Sequence, residues 1–430
     1  MRASEVLRVR VIASALLLGP AGIAAGQLSN ASAAATGLSG AFTARATGYN
    51  AVFWNPANLA MPGNPGFSLT LLAVDGGANL TPIDLQKLHD VQGTFVDSVT
   101  REGWLKQVIA HGGQSGGASG GLTELGFSLG SFAFQFNTKV ATDANLSPDI
   151  VEGILFGNKG HTAAPKALQL AGSSFTGAAY STGGLSYAIP LTSLIPLTNF
   201  ALGATVKYTV GHGLIAGLDT GSVLGTDTIH VQFPGVLPDS ASRKSGNIGS
   251  GIGLDLGGAW TLPGFRFGVS VQNVVNTFKW DTTKFVSRSA LGVFRTDTTF
   301  TKVDKTDQPY ASAPSALRAK VAKQKFKPVL AAGLSFDWIP KMTVSADVRQ
   351  QMDGGIELGP KSMVSVGAEY RIIPFVPLRA GFAVMTGGTQ ISAGLGLHFL
   401  GFESGVAGYL RKRDGATESG GTVTLISIRP

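Results

Sequence analysis

Two stretches carry the spacing of a serine nucleophile elbow, Gly113-Gln114-Ser115-Gly116-Gly117 and Gly126-Phe127-Ser128-Leu129-Gly130. That chemistry needs the serine on a sharp strand-to-helix turn, with a histidine and an acid placed beside it. Neither stretch has that setting. The first reads as a Gly/Ser-rich loop and the second as a strand, and among 59 glycines in 430 residues such spacing arises by chance. The six histidines, His89, His111, His161, His212, His230 and His398, include no pair at metal-ligand spacing. The lack of cysteine removes thiolate ligands and disulfides as well. No G-x-x-x-x-G-K sequence is present to cradle a phosphate. The residues therefore predict no catalytic group, no metal and no cofactor.

What remains is a set of charges at alternate positions of apolar stretches: Asp255, Asp347, Arg349, Glu369, Arg371 and Arg379. In Lys341–Arg349, Met342, Val344, Ala346 and Val348 make one face, while Lys341, Thr343, Ser345, Asp347 and Arg349 make the other. Thr389–Phe399 repeats the pattern, with Ile391, Ala393, Leu395, Leu397 and Phe399 on one side and Gln390, Ser392, Gly394, Gly396 and His398 on the other. A period of two is a strand. In a membrane barrel one such face meets lipid and the other a wetter lumen, so the six charges are expected to face a lumen. There, opposite charges on neighbouring strands pair, which gives them a structural role before any role in ligand contact.

Similar strands read at Gly251–Trp260, Gly264–Val275, Val329–Trp338, Ser362–Ile372, Val376–Val384 and Gly401–Leu410, and earlier at Gly66–Val74, Thr123–Gly130, Phe132–Ala141, Thr176–Ile189, Phe200–Gly211, Ser222–Phe233 and part of Phe285–Val303. The terminal stretch, with Val423, Leu425 and Ile426–Ile428, predicts a last strand, though the chain does not finish on the aromatic usual for outer-membrane barrels. Short connections such as Leu262-Pro263-Gly264, Ile339-Pro340, Ile373-Pro374-Phe375 and Leu400-Gly401 alternate with the long Asn276–Lys325, the medium Gln350–Pro360 and the Met385–Thr389 turn. Trp260, Phe265, Trp338, Phe375, Phe399 and Phe402 cluster beside the short ones, where an interfacial girdle belongs. A soluble β-sandwich would bury those aromatics as core but leaves the alternating turn lengths unexplained. The fold class expected is all-β, a transmembrane antiparallel barrel of about fourteen strands.

Met1–Gly26 has a basic start (Arg2, Arg8, Arg10), an apolar run from Val11 to Leu18 and small residues Ala24 and Gly26 before Gln27. This is the pattern of a cleaved export signal, too short to span a bilayer. It directs the barrel, residues 66–430, to a bacterial outer membrane. The formal charge of +8 is modest and its basic residues are scattered, which excludes nucleic-acid binding. Lipid and lipopolysaccharide are the expected surroundings. Basic residues of the long loop, Lys279, Lys284, Arg288, Arg295, Lys302 and Lys305, suit an anionic lipid or a protein partner.

Two segments do not read as wall. Residues 27–65 are rich in small side chains. Within 83–111, Leu88, Val91, Phe95 and Val99 fall at helical spacing, and Trp104, Leu105, Val108 and Ile109 continue an apolar face. A helical outer insertion is expected here, with Leu88, Val91, Phe95, Trp104 and Ile109 as a candidate hydrophobic entry surface.

The stretch Ala34-Ala35-Thr36-Gly37-Leu38-Ser39-Gly40-Ala41-Phe42-Thr43-Ala44, followed by Trp54-Asn55-Pro56-Ala57-Asn58-Leu59-Ala60, resembles the N-terminus of the long-chain fatty-acid transporter (FadL-like) family of outer-membrane barrels, including its PorV-like branch. Gly251–Ala259 leading to Phe267–Asn273, and Val366–Tyr370 with Leu378–Phe382, look like recurring strand pairs of that family. The resemblance implies a fourteen-stranded barrel whose lumen is filled by residues 27–65, with Asn55, Pro56 and Ala57 as a plug turn inside it. It also implies passive transport of a hydrophobic small molecule, fatty-acid-like or aromatic, that lands on helical outer loops, enters the barrel and leaves through a wall defect. The PorV-like alternative is a barrel that docks or scaffolds partner proteins.

Overall fold

In a computed structural model, described for residues 30–157, 161, 167–191, 199–225, 228–289, 291–295, 306–352, 360–413 and 416–429, the chain is a closed antiparallel barrel of fourteen strands. The wall runs β1 Phe67–Thr81, β2 Gln114–Leu129, β3 Phe132–Leu146, β4 Ser174–Pro190, β5 Asn199–Leu218, β6 Gly249–Leu262 and β7 Phe265–Asn276. It continues with β8 Val329–Ile339, β9 Met342–Gln351, β10 Ser362–Ile373, β11 Val376–Met385, β12 Gly388–Phe399, β13 Phe402–Arg413 and β14 Ala416–Ile428. Each pairs with its chain neighbour, and β14 closes on β1 from Leu69↔Ile428 to Leu80↔Thr417. Closure leaves no unpaired edge in the wall, the condition for a sheet to stand in hydrocarbon.

Alternation sets the two faces. On β11, Leu378, Phe382 and Val384 are exposed on the outside, while Arg379, Ala383 and Met385 are buried inside. Tight turns join strands at one end, through Gly130, Gly264 and Gly401, whose φ angles are 56°, 78° and 81°. A Cβ is disfavoured in that left-handed region, which gives these turn glycines their place. Phe265, Trp338, Phe375, Phe399 and Phe402 are exposed beside these turns, and Trp260 stacks on Phe267 with ring centroids 5.0 Å apart.

Two stretches expected as wall strands belong elsewhere. Ser222–Phe233 and the described part of Phe285–Val303 form short strands outside the barrel, with residues 223–224, 228–232, 291–295 and 168–169 in a separate four-stranded sheet. Their β-propensity is satisfied by local pairing across the loop end. Wall strands β2 and β5 are correspondingly longer than their alternation suggested, and project beyond the apolar belt. The export-signal segment 1–26 lies outside the described residues, as do Lys302 and Lys305.

Two apolar clusters cover the loop end. One joins Leu80, Ile83, Leu88, Trp104, Leu105 and Val108 to Val151 and Leu155, and rests on helices Leu85–Asp90, Ser98–His111 and Pro148–Phe156. The other packs Leu317 and Val321 of helix Ser315–Lys323 against Leu214, Val236, Ile248, Phe278 and Trp280.

Candidate functional site: the lumen and its N-terminal segment

Residues 30–60 run inside the barrel, and inward glycines of the wall make room for them. A Cβ on Gly203 of β5 would sit 2.5 Å from the Pro56 carbonyl carbon, and one on Gly268 of β7 would sit 2.8 Å from Asn55 Nδ2. Both distances are closer than real Cβ contacts come. The Asn55 side-chain amide donates to the Gly258 carbonyl at 3.0 Å, while its oxygen accepts the Ala57 N–H at 3.2 Å and caps the short helix Pro56–Ala60. The Asn58 amide donates to the carbonyls of Thr43 and Ala46, at 2.9 and 2.8 Å. An asparagine at each place supplies the donors and acceptors that a buried non-repetitive backbone lacks.

Of the six charges expected in the lumen, Asp255, Asp347, Arg349, Glu369 and Arg379 are buried and Arg371 is exposed. One Asp347 carboxylate oxygen accepts the Phe42 and Thr43 backbone N–H groups, at 3.1 and 2.7 Å. Lys207 Nζ lies 2.6 Å from Asp255 Oδ1, and that oxygen also accepts the Asn273 N–H at 2.7 Å. Asn273 holds a φ of 55° where the β6–β7 ladder slips between Leu254 and Leu256. Glu369 gathers Arg45 at 3.0 Å, Arg371 at 2.9 Å and Arg379 at 2.7 Å. Only Arg371 of this group is substantially in water.

A cavity of about 90 Å³ lies directly on the loop side of the N-terminal segment. Phe53, Tyr180 and Phe326 give it an aromatic surface, and Asn137, Lys207 and Arg349 a polar one. Phe326 stands edge-on to Tyr180 at 5.0 Å and to Phe278 at 5.1 Å, so the long loop caps the cavity. Sequence reasoning assigned that loop to surface contacts. Its apolar residues, Phe278, Trp280, Leu317, Val321 and Phe326, were the signal of a cap.

The insertion divides the candidate entry residues. Leu88 and Trp104 are buried in its own core and Val91 packs against that core, whereas Phe95 and Ile109 are exposed, as is Val99. The stripe is broken at residues 91–97, between the two helices, so it does not form one face. None of these residues lines the lumen cavity. Trp104→Ala is expected to cost the insertion about 3–5 kcal/mol, the price of an emptied aromatic site. Hydrogen exchange should then accelerate across 85–111 with the barrel strands still protected, and unchanged exchange would contradict a self-contained core.

The serine-elbow matches hold no triad. Ser115 donates to Asn145 at 3.0 Å and Ser128 shares a hydrogen bond with Ser68 at 2.7 Å. Among the described residues there is no grouping of three His, Asp or Glu side chains fit for a metal.

No family model and no curated protein matches this chain. Among solved structures it is similar to the toluene transporter TbuX of Ralstonia pickettii, at TM-score 0.50 and 13% identity over 94% of this chain and 99% of that one. It is likewise similar to the toluene transporter TodX of P. putida, at TM-score 0.50, 14% identity and 94% and 99% coverage. The CymD monoaromatic hydrocarbon channel gives TM-score 0.51, 15% identity and 94% and 98% coverage. This chain thus has the fold of FadL-type outer-membrane transport barrels.

Proposed function

We propose, on the premise of that fold, that the chain is a passive conduit for hydrophobic small molecules, compact aromatic compounds foremost, across a bacterial outer membrane to which a cleaved signal at 1–26 delivers it. The turn end then faces the periplasm and the loop end the outside, with the aromatic residues at the lipid interface. The observation that carries this reading is the cavity between Phe53, Tyr180 and Phe326, seated against the lumen-filling segment. A scaffold has no need of such a space. The structural neighbours' own cargoes, toluene and monoaromatic hydrocarbons, are of the class it suits.

Residues 30–60 act as the plug, with Asn55, Pro56 and Ala57 as its innermost turn against β5–β7. The lumen charges hold it. At about 90 Å³ the cavity is smaller than the ~150 Å³ that admits benzene in an engineered core, so a ring enters only as Phe326 swings outward. Phe95, Val99 and Ile109 form the landing surface, and flux follows the concentration gradient. No group here is asked to perform catalysis.

The test compares uptake of a fluorescent hydrophobic probe into outer-membrane vesicles by the intact barrel and a Phe95→Asp/Val99→Asp/Ile109→Asp variant, at matched folded amounts. Because all three side chains are exposed, the variant keeps its fold and uptake should fall several-fold. Equal uptake by the two would remove the landing surface from the model of transport. No uptake by the intact protein would sink the conduit itself.

A further inference from the structure

A second and larger space opens at the turn end, on the other side of the plug, and holds about 730 Å³. Six cationic side chains line it, Arg45, Arg266, Lys341, Arg371, Arg379 and Arg429, against only three carboxylates, Asp337, Glu369 and Glu403. Three of the guanidinium groups share the single carboxylate of Glu369. Arg45 Nη1 is buried there without a hydrogen-bond partner. Arg429 stands 3.9 Å from Glu403, while Arg266 forms no ion pair among the described residues.

A clamp between plug and wall needs one guanidinium per carboxylate. The surplus of three positive charges is unexplained by that role. Confined between low-dielectric walls, it concentrates anions, and planar guanidinium forks match a carboxylate edge with two parallel hydrogen bonds. The volume falls within the roughly 300–1,000 Å³ of small-molecule sites.

We propose that this vestibule binds organic carboxylates, and that the cargo therefore includes small aromatic acids as well as neutral hydrocarbons. The proposal rests on the conduit reading. At about 90 Å³ the outer cavity favours a compact ring over an extended chain. A carboxylate that reaches the vestibule settles among the arginines, which hold it by charge-assisted hydrogen bonds.

Binding of benzoate and of toluene to the purified, folded barrel is measured by calorimetry, at low and high salt, for the intact chain and for Arg266→Gln/Lys341→Gln. Neither substituted residue is buried, so the barrel and plug remain assembled, which heat-modifiable gel mobility verifies. Benzoate should bind the intact protein more tightly than toluene, weaken as salt rises, and lose roughly tenfold in affinity in the variant, the loss expected for one charge-assisted contact. Toluene-class probe uptake into vesicles should be equal for the two proteins. Benzoate binding that is absent, insensitive to salt or unaltered by the variant overturns the vestibule assignment. If benzoate fails while neutral-probe uptake persists, the conduit stands without the anion site; if neutral uptake is itself absent, the conduit reading has failed.

Discussion

Gly381→Val is expected to unseat the plug while leaving the wall closed. A Cβ on Gly381 falls 2.6 Å from Ser39 N and 2.9 Å from the Leu38 carbonyl oxygen, and these are backbone atoms that no rotamer change moves away. The segment cannot slide aside locally. Ser39 N–H donates to Ser392 Oγ at 3.0 Å, Ser392 Oγ donates to the Gly37 carbonyl at 3.0 Å, and Thr36 and Thr422 hydroxyls meet at 2.7 Å. The clash therefore lifts residues 36–39 together. Gly381 itself keeps its ladder partners Gly367 and Ser392 through the backbone, so the barrel still closes. With the lumen opened to water, as in porin-type barrels, single-channel conductance in a planar bilayer should rise roughly tenfold or more. Gly408→Val is the control, because its Cβ would meet nothing nearer than 3.7 Å. Intact-like conductance in the Gly381 variant would mean that the segment does not obstruct the lumen.

That contact also marks the limit of what could be read from the residues alone. The alternation of Leu378, Phe382 and Val384 with Arg379, Gly381 and Ala383 is a local property, and it separates exposed from buried side chains because each side chain's face follows from its own strand. The meaning of Gly381 is not local. It is glycine because Leu38, more than three hundred residues away in sequence, lies across it. Glycine abundance pointed to tight turns, and Gly264 and Gly401 are indeed turn glycines, yet Gly203, Gly257, Gly268 and Gly367 are spaces for another segment's backbone. The insertion misled for a related reason. Helical spacing from Leu88 to Ile109 identifies apolar positions, but Trp104 turns inward because helix Pro148–Phe156 supplies Val151 and Leu155, a partner distant in sequence. Likewise Ser222–Phe233 carries true β-propensity, and only its pairing with residues 291–295 and 168–169 decides that it sits above the barrel.

Glu369→Gln is expected to cost the cluster that ties Arg45 of the plug to β10 and β11 about 3–5 kcal/mol, the cost of removing one partner from a buried ion pair, and to loosen plug docking through Arg45. The estimate applies to Arg379 and Arg45, whose side chains are 5% and 15% exposed; Arg371, at 48%, adds little because water screens it. Glutamine keeps the shape and one acceptor oxygen. It cannot neutralise three guanidinium groups that then face one another. Hydrogen exchange of residues 36–46 should accelerate, since Arg45 tethers that stretch to β10, and added salt should restore part of the protection. A double-mutant cycle with Arg379→Gln separates charge from packing: the two losses should be strongly less than additive, because the second change removes the repulsion that the first created. Additive losses, or a Glu369→Gln effect below about 1 kcal/mol, would reduce the cluster to solvated surface charge. The same substitution raises the vestibule's cationic surplus by one, so benzoate affinity should increase as docking weakens. Opposite signs in the two measurements are what distinguish an anion site from a clamp, since a clamp alone gives a variant that is only less stable.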